Sequence, residues 1–160
     1  MNMNYVKPFM DSAMSVFSTM LKCQLTPGEP TDDFRREPDH DVTGIIGMSG
    51  KSTGVVMVHI TKSIALNVTE AMLGVRPEGL NADVIDAVGE LTNMIAGGAK
   101  AQLNPEFTNL ALPMVLIGRN GIELPSCTKP TCVPFDSPWG ALSVEIDVRE
   151  PRKFAHALGA

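Results

Sequence analysis

The stretch from Ala82 to Asn104, ADVIDAVGELTNMIAGGAKAQLN, constrains the fold most strongly, because it predicts one long amphipathic helix. Its apolar residues recur at helical intervals and form one stripe, which consists of Val84, Val88, Leu91 and Ile95. A second stripe recurs at the same interval on roughly the opposite side and consists of Asp83, Asp86, Glu90, Asn93 and Gly97. A helix needs the first stripe to pack onto a core. It has no structural need for the second.

Glu90 and Asn93 stand three residues apart in this stripe, so their β-carbons lie on one face about 5–6 Å from each other. A carboxylate and an amide at this spacing can reach the same small volume outside the protein. The plainer interpretation is a solvated helix face, since a Glu–x–x–Asn pair alone has little specificity. An asparagine inside a helix is unfavourable, because its side chain competes for backbone hydrogen bonds. Its presence at position 93 therefore favours a functional role.

Two glycines follow in the same predicted helix, and each costs about 1 kcal/mol relative to alanine. Gly97 extends the polar stripe, whereas Gly98 borders the apolar one. A helix that accepts such costs allows another backbone to approach closely. For Gly98, tight packing inside this protein explains the residue equally well.

Length and charge exclude several classes of protein. The chain has 160 residues, which predicts a single domain over residues 1–160. The net charge of −5 and the lack of a basic cluster argue against nucleic-acid binding. No apolar run is long enough to span a bilayer, and Lys7 and Asp11 interrupt the N-terminal segment, which is therefore not a secretion signal. A cytoplasmic protein is expected.

The cysteines do not form a recognisable site. Cys23, Cys127 and Cys132 are odd in number, as expected for reduced thiols in a chain that is not exported. Cys127 and Cys132 have a loose zinc-like spacing, but one further cysteine and three scattered histidines make a structural zinc site improbable. We therefore predict no metal on this chain. No phosphate-binding loop, dinucleotide fingerprint or nucleophile elbow occurs.

The chain before the central helix predicts a helix, a hairpin and a second helix. Apolar residues recur at helical spacing from Tyr5 to Cys23, and a polar connection with an optional short edge strand follows over Gln24–Asp41. Two β-branched runs, Val42–Met48 and Thr53–Ile60, flank a turn and predict a hairpin. A helix is expected over Thr61–Leu73. The expected caps are Thr61 and Asn81 at the starts of the second and central helices, with Gly74 as the stop of the second.

Strands are predicted after the central helix, which Pro105 should end. Asn109–Gly118 is strand-like, but Pro113 indicates an edge strand or a bend. Asn120-Gly121 predicts a turn and Phe154 the start of a final helical turn. Two more strands are expected, Thr128–Asp136 and Trp139–Val148. In the last, Leu142, Val144, Ile146 and Val148 alternate with Ser143, Glu145 and Asp147, which predicts one buried face and one wet face.

This order of elements predicts an α/β protein of the α+β type, with a largely antiparallel sheet and long helices packed on one face. The lack of sustained β-α-β alternation disfavours a doubly wound dinucleotide fold. The two halves follow a loosely similar order, a long helix and then hairpin-like strands. That similarity favours an internal duplication, although no residue matches demonstrate it.

The central helix resembles the signature of the CheC/CheX/FliY family of bacterial chemotaxis phosphatases. The family motif is Asp or Ser, three residues, Glu, two residues and Asn, and here it reads Asp86, Ala-Val-Gly, Glu90, Leu-Thr, Asn93. The run GELTNMIAGGAK is a close match, and the hairpin DVTGIIGMSGKSTGVVMVHI is similar to the family's first strand pair. A single motif in a chain of this length resembles the CheX branch most.

The resemblance implies a cytoplasmic phosphatase, a hydrolase of two-component signalling that removes the phosphoryl group from a phosphorylated CheY-type response regulator. Asn93 would orient the attacking water, and Glu90 would pair with the regulator's active-site lysine. Asp86 and Gly97 would belong to the partner-binding rim. No cofactor is implied on this chain, and Mg²⁺ is expected on the regulator. The family also forms homodimers through sheet edges, so a homodimer is expected.

Two other functions compete with this one. The first is a non-catalytic binding module that docks on a receiver domain or on the flagellar switch. The Glu90 and Asn93 pair argues against it, because a docking surface has no need for an amide at the water-orienting position. The second is a metal- or thiol-dependent enzyme that uses Cys127, Cys132 and a histidine, which full activity of a Cys→Ser variant would exclude.

Overall fold

The computed structural model describes residues 2–32, 40–119 and 130–149. Its helices are α1 (Met3–Met20), α2 (Lys62–Leu73) and α3 (Ala82–Gln102). Its strands are β1 (Thr26–Pro27), β2 (Val42–Gly50), β3 (Thr53–Ile60), β4 (Phe107–Leu110), β5 (Met114–Ile117), β6 (Thr131–Asp136) and β7 (Leu142–Arg149). The predicted Asn120-Gly121 turn, the residues around Phe154, and also Cys127 and His156 lie outside the described residues.

The helix boundaries follow from local capping. The Thr61 side chain accepts a hydrogen bond from the Ile64 amide, and the Asn81 side chain accepts one from the Val84 amide, both at 3.2 Å. Gly74 ends α2 in the left-handed conformation with φ of 76°. All three caps confirm the predictions, because each depends on a residue type and its immediate neighbours. The first helix begins two residues earlier than predicted, at Met3, and ends three residues earlier, at Met20, before Lys22 adopts the left-handed conformation with φ of 54°.

Within the described residues, the strands form one antiparallel sheet in the order β1-β6-β7-β3-β2-β4, with β5 also paired to β2. The strands β4 and β5 pair with different ends of β2, near Met48 and near Ile45 respectively. The chain leaves the sheet between them, at Pro113. The prediction that Pro113 marks an edge or a bend is confirmed, since proline cannot donate to a ladder. The short edge strand β1 also lies within the predicted connection.

The strand pairing maps onto itself when α1, β1, β2 and β3 are exchanged with α3, β5, β6 and β7. The pair β1–β6 then becomes β5–β2, and β2–β3 becomes β6–β7. The central pair β3–β7 maps onto itself, and so does the contact between α1 and α3. The topology therefore has the pseudo-twofold symmetry expected of a duplicated unit.

All three helices lie on one face of the sheet, as predicted. One apolar cluster joins alternate residues of β2, β3, β6 and β7 to residues of α1, α2 and α3. The helical stripe predicted to face the core is fully buried at Val84, Val88, Leu91 and Ile95. A β-carbon on Gly44 would overlap the Thr92 side chain, so glycine at this position is what allows the close contact with α3. The central helix α3 therefore rests directly on β2.

The prediction that one face of the last strand is exposed to water is wrong. Ser143, Glu145 and Asp147 are only 3%, 2% and 8% exposed. They belong to the sheet face that points away from the helices, where Glu145 is beside His59 of β3 and Cys132 of β6. Because β7 lies between β3 and β6, side chains of both neighbouring strands, such as His59 and Cys132, flank Glu145 and contribute to its burial.

Candidate functional site on helix α3

The position of α3 is fixed by close contacts on its buried sides. Ser12 of α1 donates a hydrogen bond of 2.7 Å from Oγ to the carbonyl of Ile95. A β-carbon on Gly98 would overlap that hydroxyl and would stand 3.2 Å from the Ser12 β-carbon. Gly98 is therefore explained by packing between α1 and α3, which is one of the two explanations that the sequence left open.

The predicted site residues Asp86, Glu90, Asn93 and Gly97 share the outer face of α3, within an arc of about 60° at 100° per residue. Asp86 and Glu90 are exposed, whereas Asn93 and Gly97 are partly buried. In the part of the chain that the structure describes, the side chains of Asp86, Glu90 and Asn93 make no hydrogen bond or ion pair. Their polar atoms are thus available to a partner molecule.

One edge of this face is bordered by the bend segment, defined as Leu110–Pro113, which joins β4 to β5. A β-carbon on Gly89 would stand 3.5 Å from Cγ of Pro113, and one on Gly97 would stand 3.9 Å from Cδ1 of Leu110. These two helix positions lie four residues before and four residues after Asn93. The bend segment therefore runs alongside Asn93. The proline signal indicated the bend, but nothing in the sequence indicated its position beside α3.

The cysteines do not contribute to this face. Cys132 is fully buried on the opposite side of the sheet, and burial, followed by the nearby Glu145 carboxylate, raises its pKa to about 12. Burial also raises the pKa of Cys23. Both are thiols rather than thiolates at neutral pH, and the thiolate is the reactive form.

The polar side chains around Glu145 do not resemble a metal centre. His59 accepts or donates a hydrogen bond of 3.0 Å between Nδ1 and Thr43 Oγ1, and its Nε2 lies 3.5 Å from Glu145 Oε2. Among residues 2–32, 40–119 and 130–149, no group of three or more His, Cys, Asp or Glu side chains is arranged to hold a metal ion. In the same residues, no helix is long and apolar enough to cross a membrane.

Known proteins share this fold over nearly the whole chain. A chemotaxis protein CheX from Vibrio vulnificus is 37% identical and superimposes with a TM-score of 0.81, covering 91% of this chain and 99% of its own. The CheY-P phosphatase CheX of Thermotoga maritima is 26% identical over 123 residues, 75% of this chain and 79% of its own. A Borrelia burgdorferi CheX, solved in complex with CheY, BeF3 and Mg²⁺, shares the fold at 24% identity and a TM-score of 0.76, covering 91% of this chain and 98% of its own.

The helix-on-sheet architecture, with a carboxylate and an amide on the outer face of α3, places the protein in the CheC-like class. The family model for chemotaxis phosphatase CheX matches residues 42–136, a span that includes the hairpin, α3 and the bend segment. The chain belongs to the CheX family of chemotaxis phosphatases. The predicted resemblance is therefore confirmed.

Proposed function

We propose that this protein hydrolyses the phospho-aspartate of a phosphorylated CheY-type response regulator in chemotaxis signalling. The observation that carries the proposal is the pair Glu90 and Asn93 on the outer face of α3, where Glu90 is exposed, Asn93 is partly buried, and neither side chain has a hydrogen-bond partner within the described residues. Contacts with α1 and β2 hold the helix that carries them. Membership of the CheX family and the activity named for the Thermotoga relative support it.

Asn93 supplies the chemistry, because its amide oxygen can accept a hydrogen bond from a water molecule and its amide NH2 can donate one to it. It orients that water in line with the bond between phosphorus and the aspartyl oxygen, and positioning is a large share of catalysis in phosphoryl transfer. The water attacks phosphorus, and the aspartate carboxylate leaves. No covalent intermediate forms on this chain, so none of its thiols is required.

Glu90 aligns the two proteins. Its carboxylate forms an ion pair with the regulator's active-site lysine, one helical turn from the amide that holds the water. Asp86, a further turn toward the N-terminus, contributes negative charge to the rim, and Gly97 lets the regulator's backbone approach α3. The Mg²⁺ belongs to the regulator, and the composition of the Borrelia complex supports that assignment.

The protein acts as a cytoplasmic homodimer joined through the free edge of β5. In the part of the chain that the structure describes, β5 pairs only with β2. It exposes three large apolar side chains at Met114, Leu116 and Ile117. An exposed apolar sheet edge, even one of four residues, offers unpaired backbone groups to a second copy.

The test is the release of phosphate from a CheY-type receiver phosphorylated by a small-molecule donor. Wild type should accelerate release, and Asn93→Ala should not, while still binding the beryllofluoride-activated receiver. Asn4→Ala, at an exposed position on α1, is the matched control and should behave as wild type. Binding without acceleration by wild type would instead support a non-catalytic docking module. Equal acceleration by wild type and Asn93→Ala would remove Asn93 from the mechanism.

A further inference from the structure

The bend segment presents one apolar side chain next to the reactive face of α3. Leu112 is 89% exposed, more than the other exposed large apolar residues among those described. Isolated apolar residues on a surface are common, so exposure alone carries no conclusion. What distinguishes Leu112 is its position beside Asn93 and the way its neighbours are held.

The position of Leu112 follows from the two glycine contacts. The helix rises about 12 Å between Gly89 and Gly97 at 1.5 Å per residue. The bend segment covers a similar length, about 10 Å for three extended residue steps, and it touches the helix at both ends, through Pro113 and Leu110. Leu112 therefore lies alongside the stretch of α3 whose midpoint is Asn93.

The neighbours of Leu112 are anchored. The amide of Ala111 donates a hydrogen bond of 2.8 Å to the carbonyl of Gly47 in β2. Leu110 packs against the core, and Pro113 rests near Gly89. Because both sides of the bend are fixed, Leu112 is held out toward solvent with little backbone freedom. Such a residue loses little conformational entropy when a partner covers it.

We propose that Leu112 is an apolar docking residue that contacts the receiver domain beside its phospho-aspartate. The inference rests on the proposed function, because the occupant it names is the substrate protein. The surface around it combines one apolar contact with the acidic residues Asp86 and Glu90, so it fits a receiver surface with an apolar depression next to its active-site lysine. A receiver seated on Asn93 must also cover the bend segment, since the two are adjacent.

Leu112 touches no reacting atom, so its contact should strengthen the ground state and the transition state equally. Uniform binding of this kind changes KM and leaves kcat unaltered. Leu112→Ala should therefore raise KM for the phosphorylated receiver by about tenfold and weaken binding of the beryllofluoride-activated receiver by the same factor. The kcat should stay within about twofold of wild type.

The experiment measures kcat, KM and receiver affinity for wild type, Leu112→Ala, Leu112→Asp and Leu73→Ala. Leu73 is an exposed leucine at the end of α2, so its variant controls for loss of surface leucine. The Leu112→Asp variant should weaken affinity further, because it adds charge at an apolar contact. Sedimentation of each variant reports the oligomeric state.

Unchanged KM and affinity in both Leu112 variants, with an active wild type, would overturn this inference and leave the proposed function intact. A fall in kcat at constant KM would also overturn it, since Leu112 would then affect the chemical step. A change from dimer to monomer would assign Leu112 to the contact between copies instead. If wild type neither binds nor dephosphorylates the receiver, the proposed function fails, and this inference fails with it.

Discussion

Ser12 on α1 donates a 2.7 Å hydrogen bond from Oγ to the main-chain carbonyl of Ile95 on α3, 83 residues away in sequence. The bond forms where Gly98 removes any side chain from the helix crossing. It fixes the rotation and height of α3 relative to α1. The direction in which Glu90 and Asn93 point therefore depends on a contact on the opposite side of the helix.

Gly98→Ala should lower the free energy of unfolding by about 1–3 kcal/mol, because the added methyl group overpacks the crossing and displaces the Ser12 hydroxyl. Urea unfolding monitored by circular dichroism measures the loss. Combining it with Ser12→Ala should recover part of the loss, since the overlapping oxygen is then absent. Full stability of Gly98→Ala would mean that the crossing has room the structure does not show.

Gly97→Ala should have the opposite effect on stability. A β-carbon there meets only Cδ1 of Leu110 at 3.9 Å, an ordinary contact. Alanine should therefore stabilise the helix by about 0.5–1 kcal/mol through its propensity. Dephosphorylation of the receiver should nevertheless slow, because the methyl group would stand where we propose that the partner backbone approaches. Undiminished activity would remove Gly97 from the docking face.

Glu90→Gln should reduce receiver affinity and the rate of dephosphorylation together. The substitution keeps the shape of the side chain and removes the charge that we propose pairs with the receiver's lysine. The difference from wild type should shrink as salt is raised from 0.05 to about 0.5 M, because screening weakens the ion pair that wild type alone can form. Asp83→Asn, at another exposed acidic position of α3, is the control and should have a smaller effect. A salt-independent difference would exclude the ion pair.

Removal of Mg²⁺ should stop dephosphorylation, because the proposed mechanism requires the ion in the receiver's active site. Titration of a chelator against the reaction, followed by addition of excess Mg²⁺, should abolish and then restore the rate. The fold of this chain should be unaffected, as judged by its melting temperature in chelator. Continued turnover in chelator would contradict the mechanism.

Cys132 should remain unmodified in the native protein. Its pKa of about 12 leaves almost no thiolate at pH 8, and its side chain has no exposed surface. Mass spectrometry after alkylation should find Cys132 labelled only in denaturant, and Cys132→Ser should keep full phosphatase activity per folded molecule. Loss of activity in the folded variant would instead support the hypothesis of a thiol-dependent enzyme.

Asp41 should make the free energy of unfolding depend on pH in the acidic range. Its carboxylate accepts a 2.9 Å hydrogen bond from the Lys62 amide at the start of α2 and a 3.1 Å one from Arg119, and these partners lower its pKa below the ordinary 3.8. Because the pKa of this carboxyl is lower in the folded state than in the unfolded state, the carboxylate stabilises the folded protein at pH values above the ordinary pKa. That stabilisation is lost as the pH falls through the folded-state pKa. Asp41→Asn should cost about 1 kcal/mol at pH 7 and little at pH 3. Urea midpoints at both pH values measure this, and an equal cost at each would contradict it.

Features that depend on neighbouring residues could be predicted from the sequence. The caps Thr61, Gly74 and Asn81 act within one turn, and the apolar stripe of α3 needs only helical periodicity. The family motif on that helix also needs no knowledge of distant contacts. These signals were enough to indicate the fold class and the face that carries the candidate site.

Features that depend on distant strands could not be predicted. Alternation along β7 distinguishes its two faces but not what covers them, so Glu145 was expected in water although it lies beside His59. The bend segment likewise reaches α3 only because β4 and β5 both pair with β2. The proline that marks the bend carries no information about which helix lies next to it.

The pseudo-twofold strand pairing has a consequence for stoichiometry. The fold supplies two equivalent helices, yet only α3 carries the carboxylate and amide, while Ser12 of α1 is used to hold α3 in place. A duplicated scaffold thus carries the motif on one helix, and the proposed function implies that each chain engages one receiver at a time. The half of the fold without the motif holds in place, through the hydrogen bond from Ser12, the helix that carries it.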